Sequence, residues 1–90
     1  MAEESWQDAM IQAALAFRLG RDGEGNETLS VFIDRLLRVI PKMEHLHMGE
    51  FQTVLELMLC AQERGDYLLV ADLLEYELSK LLGGVTGTTP

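Results

Sequence analysis

The stretch from Asp66 to Leu82 limits what this chain can fold into more than any other. It holds no proline or glycine, opens on an aspartate and is followed by Gly83. An aspartate before the first helical turn accepts a hydrogen bond from a free backbone N–H, and a glycine after the last turn readily closes a helix. At about 100° per residue, Tyr67, Val70, Ala71, Leu74, Leu78 and Leu81 share one face of a helix. Leu69, Leu73 and Tyr76 form a second apolar strip beside it, with Glu77 wedged between the two, and only Leu68, Asp72, Glu75 and Ser79 occupy the remaining arc. The apolar arc is roughly twice the ~100° that a helix packed on one side needs. The spacing therefore predicts a central helix, covered by neighbours on most of its circumference.

Three further segments supply those neighbours. Ser5-Trp6-Gln7-Asp8 has the pattern of a capping box with Asp in place of Glu, opening a first helix that Gly20 ends. Trp6, Met10, Ala13, Ala14 and Phe17 share its inner face, where the alanines let a neighbour approach closely; Ile11, Leu15 and Leu19 lie off that face on a second strip. Residues Arg21 to Asn26 read as a glycine-rich connection. Asn26 or Thr28 then caps a second helix that ends before Pro41, with Leu29, Phe32, Ile33, Leu36, Leu37 and Ile40 facing inward. After a connection from Pro41 to His47, a third helix runs from about Met48 to Arg64. Met48, Phe51, Val54, Leu55, Met58 and Leu59 face inward on it, with Thr53, Leu57 and Cys60 on the far side. Gly65 and Asp66 leave a connection short enough only for an antiparallel hairpin. The fold expected is an all-α, antiparallel up-down four-helix bundle over residues 1–83, followed by a flexible tail over 84–90.

Composition narrows the classes of function. A formal charge of −8 argues against a nucleic-acid partner or an anionic membrane surface, because phosphate attraction needs clustered Lys and Arg. Apolar runs fall well short of the ~20 residues of a membrane helix. The first residues lack a basic and apolar leader pattern, and a lone cysteine fits a reducing compartment, so the expected location is cytoplasmic.

Motifs that carry chemistry are incomplete. Asp22, Glu24 and Asn26 match the start of a calcium loop, but Glu27 stands at the turn glycine and Ile33 at the bidentate glutamate. Glu44-His45-Leu46-His47 contains Glu-x-x-His, a di-iron ligand pair when two copies and two further glutamates meet inside a bundle. One copy supports metal binding by Glu44, His45 and His47 only across a dimer. Cys60 has Arg64 as its sole cationic neighbour in sequence, and a reactive thiol needs more. Asp72 and Glu75 share one face, where acid–base work would require a cleft that separates their pKa values. A small enzyme subunit built on Cys60 or on that pair is the weaker rival; no cofactor is expected.

The segment Gly65-Asp66-Tyr67-Leu68-Leu69-Val70-Ala71-Asp72-Leu73-Leu74-Glu75-Tyr76-Glu77-Leu78 resembles a signature of small helical domains of unknown function in Gram-positive bacteria, some encoded near motility or flagellin-modifying genes. The resemblance covers the last quarter of the chain and implies a helical bundle in a bacterial cytoplasm, without implying an activity. The function expected is a non-enzymatic protein–protein interaction module, such as an adaptor, chaperone or assembly factor, with a metal-binding or regulatory bundle as the alternative. The surplus apolar residues predict a homodimer, or a hetero-protein partner, held through Leu57, Cys60, Leu69, Leu73 and Tyr76 beside Asp72 and Glu75.

Overall fold

The computed structural model describes residues 5–44 and 46–86, with side chains described as far as Leu82. The described residues form four helices and no strand. α1 spans Trp6–Arg18, α2 spans Asp22–Val39 and α3 spans Met48–Glu63. α4 is continuous over residues 67–86, built from Tyr67–Asp72, Leu73–Leu78 and Ser79–Thr86. The order around the bundle is α2, α1, α4, α3, with α1 and α4 in the middle and the backbones of α2 and α3 further apart. The bundle is the one expected, and α4 packs between α1 and α3; its covered arc is narrower than the sequence predicts, since Tyr76 is exposed.

The two hairpins turn on the same device. At the end of α1 the Arg21 N–H donates to the Ala16 carbonyl at 2.8 Å and the Gly20 N–H to Phe17 at 3.1 Å; at the end of α3 the Asp66 N–H donates to Ala61 at 2.8 Å and the Gly65 N–H to Gln62 at 3.0 Å. Both glycines sit at φ +77°, where a side chain would be strained. Ser5 Oγ accepts from the Asp8 N–H and Asp66 Oδ1 from the Leu69 N–H, so both predicted caps form.

α2 begins earlier than the sequence reading places it. Residues 22–26 are helical, and Arg21, in place of Asn26 or Thr28, precedes the first turn. The glycines there are not loop residues. Gly25 is buried against the Phe17 ring, and a Cβ on it would lie 2.6 Å from two ring carbons, so its missing side chain lets α2 close onto α1. Asp22 and Glu24 also complement the positive end of the helix. At the other end Pro41 ends α2 as predicted, in a 3-10 turn over Ile40–Lys42.

The core gathers Trp6, Met10 and Phe17 with Ala9, Ala13 and Ala14 from α1; Leu29, Phe32 and Leu36 from α2; Phe51, Met58 and Ala61 from α3; and Val70, Ala71, Leu73, Leu74, Leu78 and Leu82 from α4. Three residues assigned inward from sequence are exposed instead: Leu37, Met48 and Leu59. α3 buries only three side chains fully, because it packs mainly on α4 and lies at the edge of the bundle.

The middle of α4 departs from α-helical geometry. Leu73–Leu78 is a π-helical segment. Its wider turn spaces Leu74 and Leu78 so that Glu75, Tyr76 and Glu77 all lie outside, and it sets the following turn back by one residue. Leu82 therefore enters the core in place of Leu81, and Glu77, wedged among apolar neighbours in a regular helix, stays in water. The helix also runs through Gly83 and Gly84 to Thr86, so the tail predicted over 84–90 is helical in its first three residues. Pro90 is the first proline after Leu82, and a glycine within a helix costs only about 1 kcal/mol.

Candidate functional site: the α1/α4 face

Arg18, in the last turn of α1, reaches across to α4. Its Nη2 lies 2.8 Å from Asp72 Oδ1 and 2.7 Å from Glu75 Oε1, and its Nε donates to the same Glu75 oxygen at 3.1 Å. The hydrogen bonds that the guanidinium donates, to Glu75 first and Asp72 second, push its pKa further above its already high ordinary value. The cation thus persists at every pH at which the fold is handled. Because all three groups are substantially exposed, the bridge adds little to stability, and the buried side chains of α1 and α4 set how the two helices sit.

Exposed apolar side chains stand on both of the helices that the bridge joins. On α1, Ile11, Leu15 and Leu19 recur every four residues and are 59%, 54% and 58% exposed. On α4, Leu68 and Tyr76, one turn either side of Asp72, are 60% and 63% exposed. Asp8 precedes Ile11 by one turn on the same arc and makes no ion pair among the described residues. The face is thus two apolar rows around a charged centre, rimmed by carboxylates.

Behind it lies a buttress of mixed character. The Phe17 and Tyr67 rings stack with centroids 5.0 Å apart and planes 6° from parallel. Asn26 donates to Tyr67 Oη at 3.4 Å and accepts from Gln62 Nε2 at 2.8 Å, joining α2, α3 and α4 at the end where both glycine turns lie.

Some residues singled out from sequence belong to this face and others do not. Asp72, Glu75 and Tyr76 are on it. Leu73 is buried in the core and cannot meet a partner; Leu69 is half-buried against the core. The π segment and the flank of α4 account for both, since the strip counted as surplus covers core neighbours. Leu57 and Cys60 are exposed on α3, on the other flank of α4 from α1. Arg18 is not singled out by the sequence: a basic residue in the last turn of a helix is an ordinary dipole partner, and Asp72 and Glu75 lie 54 and 57 residues further on. Leu68, placed there on the polar arc, is an exposed leucine next to the bridge.

Glu44 and His47 are exposed in the connection after α2, His47 preceding the first turn of α3 without a side-chain cap bond; His45 lies outside the described residues. Among the described residues no group of three or more His, Cys, Asp or Glu could hold a metal ion. No helix described is long and apolar enough to cross a membrane. An open groove of about 470 Å³ between α3 and the end of α4 is lined by Glu50, Thr53, Val54, Glu77, Lys80 and Leu81. It lies away from the α1/α4 bridge and holds no ordered cluster of chemistry.

A family model for a domain of unknown function, DUF8042, matches residues 4–84. The chain belongs to that family. The DUF8042 match takes in all of α1, α2 and α3 and most of α4, so the bundle and the family domain coincide. No curated protein and no solved structure matches the chain.

Proposed function

We propose that this DUF8042 domain is a non-enzymatic protein–protein interaction module that works in a bacterial cytoplasm and docks its partner on the α1/α4 face. The observation that supports this reading is the row Ile11, Leu15 and Leu19 on α1, each more than half exposed, with Leu68 and Tyr76 exposed on the neighbouring α4. Side chains of this size left mostly in water each forgo on the order of 1 kcal/mol of burial. Gathered on two adjacent helices they form the kind of apolar patch, rimmed by polar groups, that marks an interface. The exposed, unpaired Cys60 fits a reducing compartment. An adaptor or assembly factor fits a domain whose chemistry lies on its outer helix faces.

Affinity capture from the source cells, with wild-type and variant baits in parallel, tests the reading. A specific partner should be retained by the wild type and by Leu37→Ser, and lost with the Leu15→Ser/Leu68→Ser double variant. Equal retention by all three baits would remove the α1/α4 face from the account.

A further inference from the structure

We infer that the occupant of the α1/α4 face is a positively charged amphipathic helix of another protein, an assignment that rests on the interaction-module reading and names its partner's chemistry. Three observations carry it. The first is spacing. Ile11 to Leu19 spans eight residues of helix, about 12 Å at 1.5 Å per residue, and Leu68 to Tyr76 spans the same number on α4. Two such rows on adjacent helices offer a seam into which a third helix, apolar at every third or fourth residue, can lay its stripe.

The second is the state of the carboxylates at the centre of the seam. Arg18 bonds Oδ1 of Asp72 and Oε1 of Glu75. The second oxygen of each has no hydrogen-bond partner among the described residues, so two charged acceptors at the middle of an apolar surface stand ready for a cation.

The third is charge. Among the described residues the face carries Asp8, Asp72 and Glu75 against Arg18, and the whole chain carries −8. A second copy brings the same sign to the same place, whereas a Lys- or Arg-bearing helix is drawn to it.

The probe is a synthetic helical peptide with leucines at every third and fourth position and lysines flanking them, titrated by fluorescence anisotropy. A twin peptide with glutamate in place of every lysine is the comparison, and sedimentation equilibrium of the protein alone runs beside it. The lysine peptide should bind at least tenfold tighter than the glutamate peptide. Its binding should weaken several-fold between about 50 and 500 mM salt, as screening predicts. Leu15→Ser/Leu68→Ser should reduce binding more than tenfold, and Asp72→Asn/Glu75→Gln more than fivefold. Arg18→Gln should tighten it, because both carboxylates are then free for the peptide; a purely structural role for the bridge predicts no such gain. Equal binding of the two peptides would overturn the charge assignment and leave the interaction reading standing. Lysine-peptide binding that ignores Leu15→Ser/Leu68→Ser would reduce it to bulk attraction and overturn the inference. Micromolar self-association abolished by Leu15→Ser/Leu68→Ser would make a second copy the occupant. A monomer that binds neither peptide overturns the inference too, while the capture experiment judges the interaction reading separately.

Discussion

Gly25 and Gly23 stand two residues apart in α2 and have opposite roles. A Cβ on Gly25 would lie 2.6 Å from the Phe17 ring, which is buried and stacked on Tyr67, whereas a Cβ on Gly23 would meet nothing within 4 Å. Replacing glycine by alanine in a helix gains about 1 kcal/mol from propensity. Overpacking a tight contact costs about 1–3 kcal/mol. The second outweighs the first at Gly25. Gly25→Ala should therefore lower stability by about 1 kcal/mol and Gly23→Ala should raise it by up to about 1 kcal/mol, read as opposite shifts of the thermal midpoint. At Leu74, fully buried in mid-α4, an aspartate leaves a charge in the core without a partner. Leu74→Asp should abolish the cooperative circular-dichroism melt. Glu75→Lys should leave it within a few degrees, because the bridge that it breaks is exposed.

At the scale of elements, the π segment explains both what the sequence showed and what it hid. The periodicity that places Val70, Ala71, Leu74 and Leu78 on one face is helical and local, so it was legible. The extra residue in the turn is not local information. It leaves Glu77 outside the core and exchanges Leu81 for Leu82, which only the packed helices reveal. The same limit applied at residues 22–26. Glycines there satisfy every sequence rule for a loop, and only the close approach of Phe17 shows that they serve packing. Inward assignments on α3 overshot at Met48 and Leu59, since the width of a helix's contact depends on how many neighbours it has. The π segment yields its own test. Removing Glu77 should restore a regular α-helix with Leu78 and Leu82 still in phase with Leu74, preserving a cooperative melt. Removing Glu56 rotates Phe51 by about 100° relative to Met58 and Ala61, and should destroy it. Loss of folding in both deletions would show that the π turn is not the insertion described here.

For the whole molecule, the surplus of apolar surface was legible in the sequence and its location was not. Ile11, Leu15 and Leu19 read as an extra strip on the first helix, and they are exposed as such. The matching strip on α4 was misplaced because Leu69 and Leu73 pack on the core, while Leu68 and Tyr76 do not. The bridge between α1 and α4 was hidden too, since Arg18's partners are 54 and 57 residues away in the chain. Among the described residues no group of three or more His, Cys, Asp or Glu could hold a metal ion; His45 lies outside them, and the metal reading of Glu44, His45 and His47 calls for a second copy as well.

An interaction module that docks its partner on the α1/α4 face has that face covered in the cell. The direct measurement is site-specific photo-crosslinking in the source organism, with a benzophenone side chain at Leu15 or Leu68 on the face and at Glu56 on the exposed side of α3. One discrete, saturable adduct should form from Leu15 and the same adduct from Leu68, with none from Glu56. An adduct from Glu56, with none from Leu15 or Leu68, would contradict docking on this face.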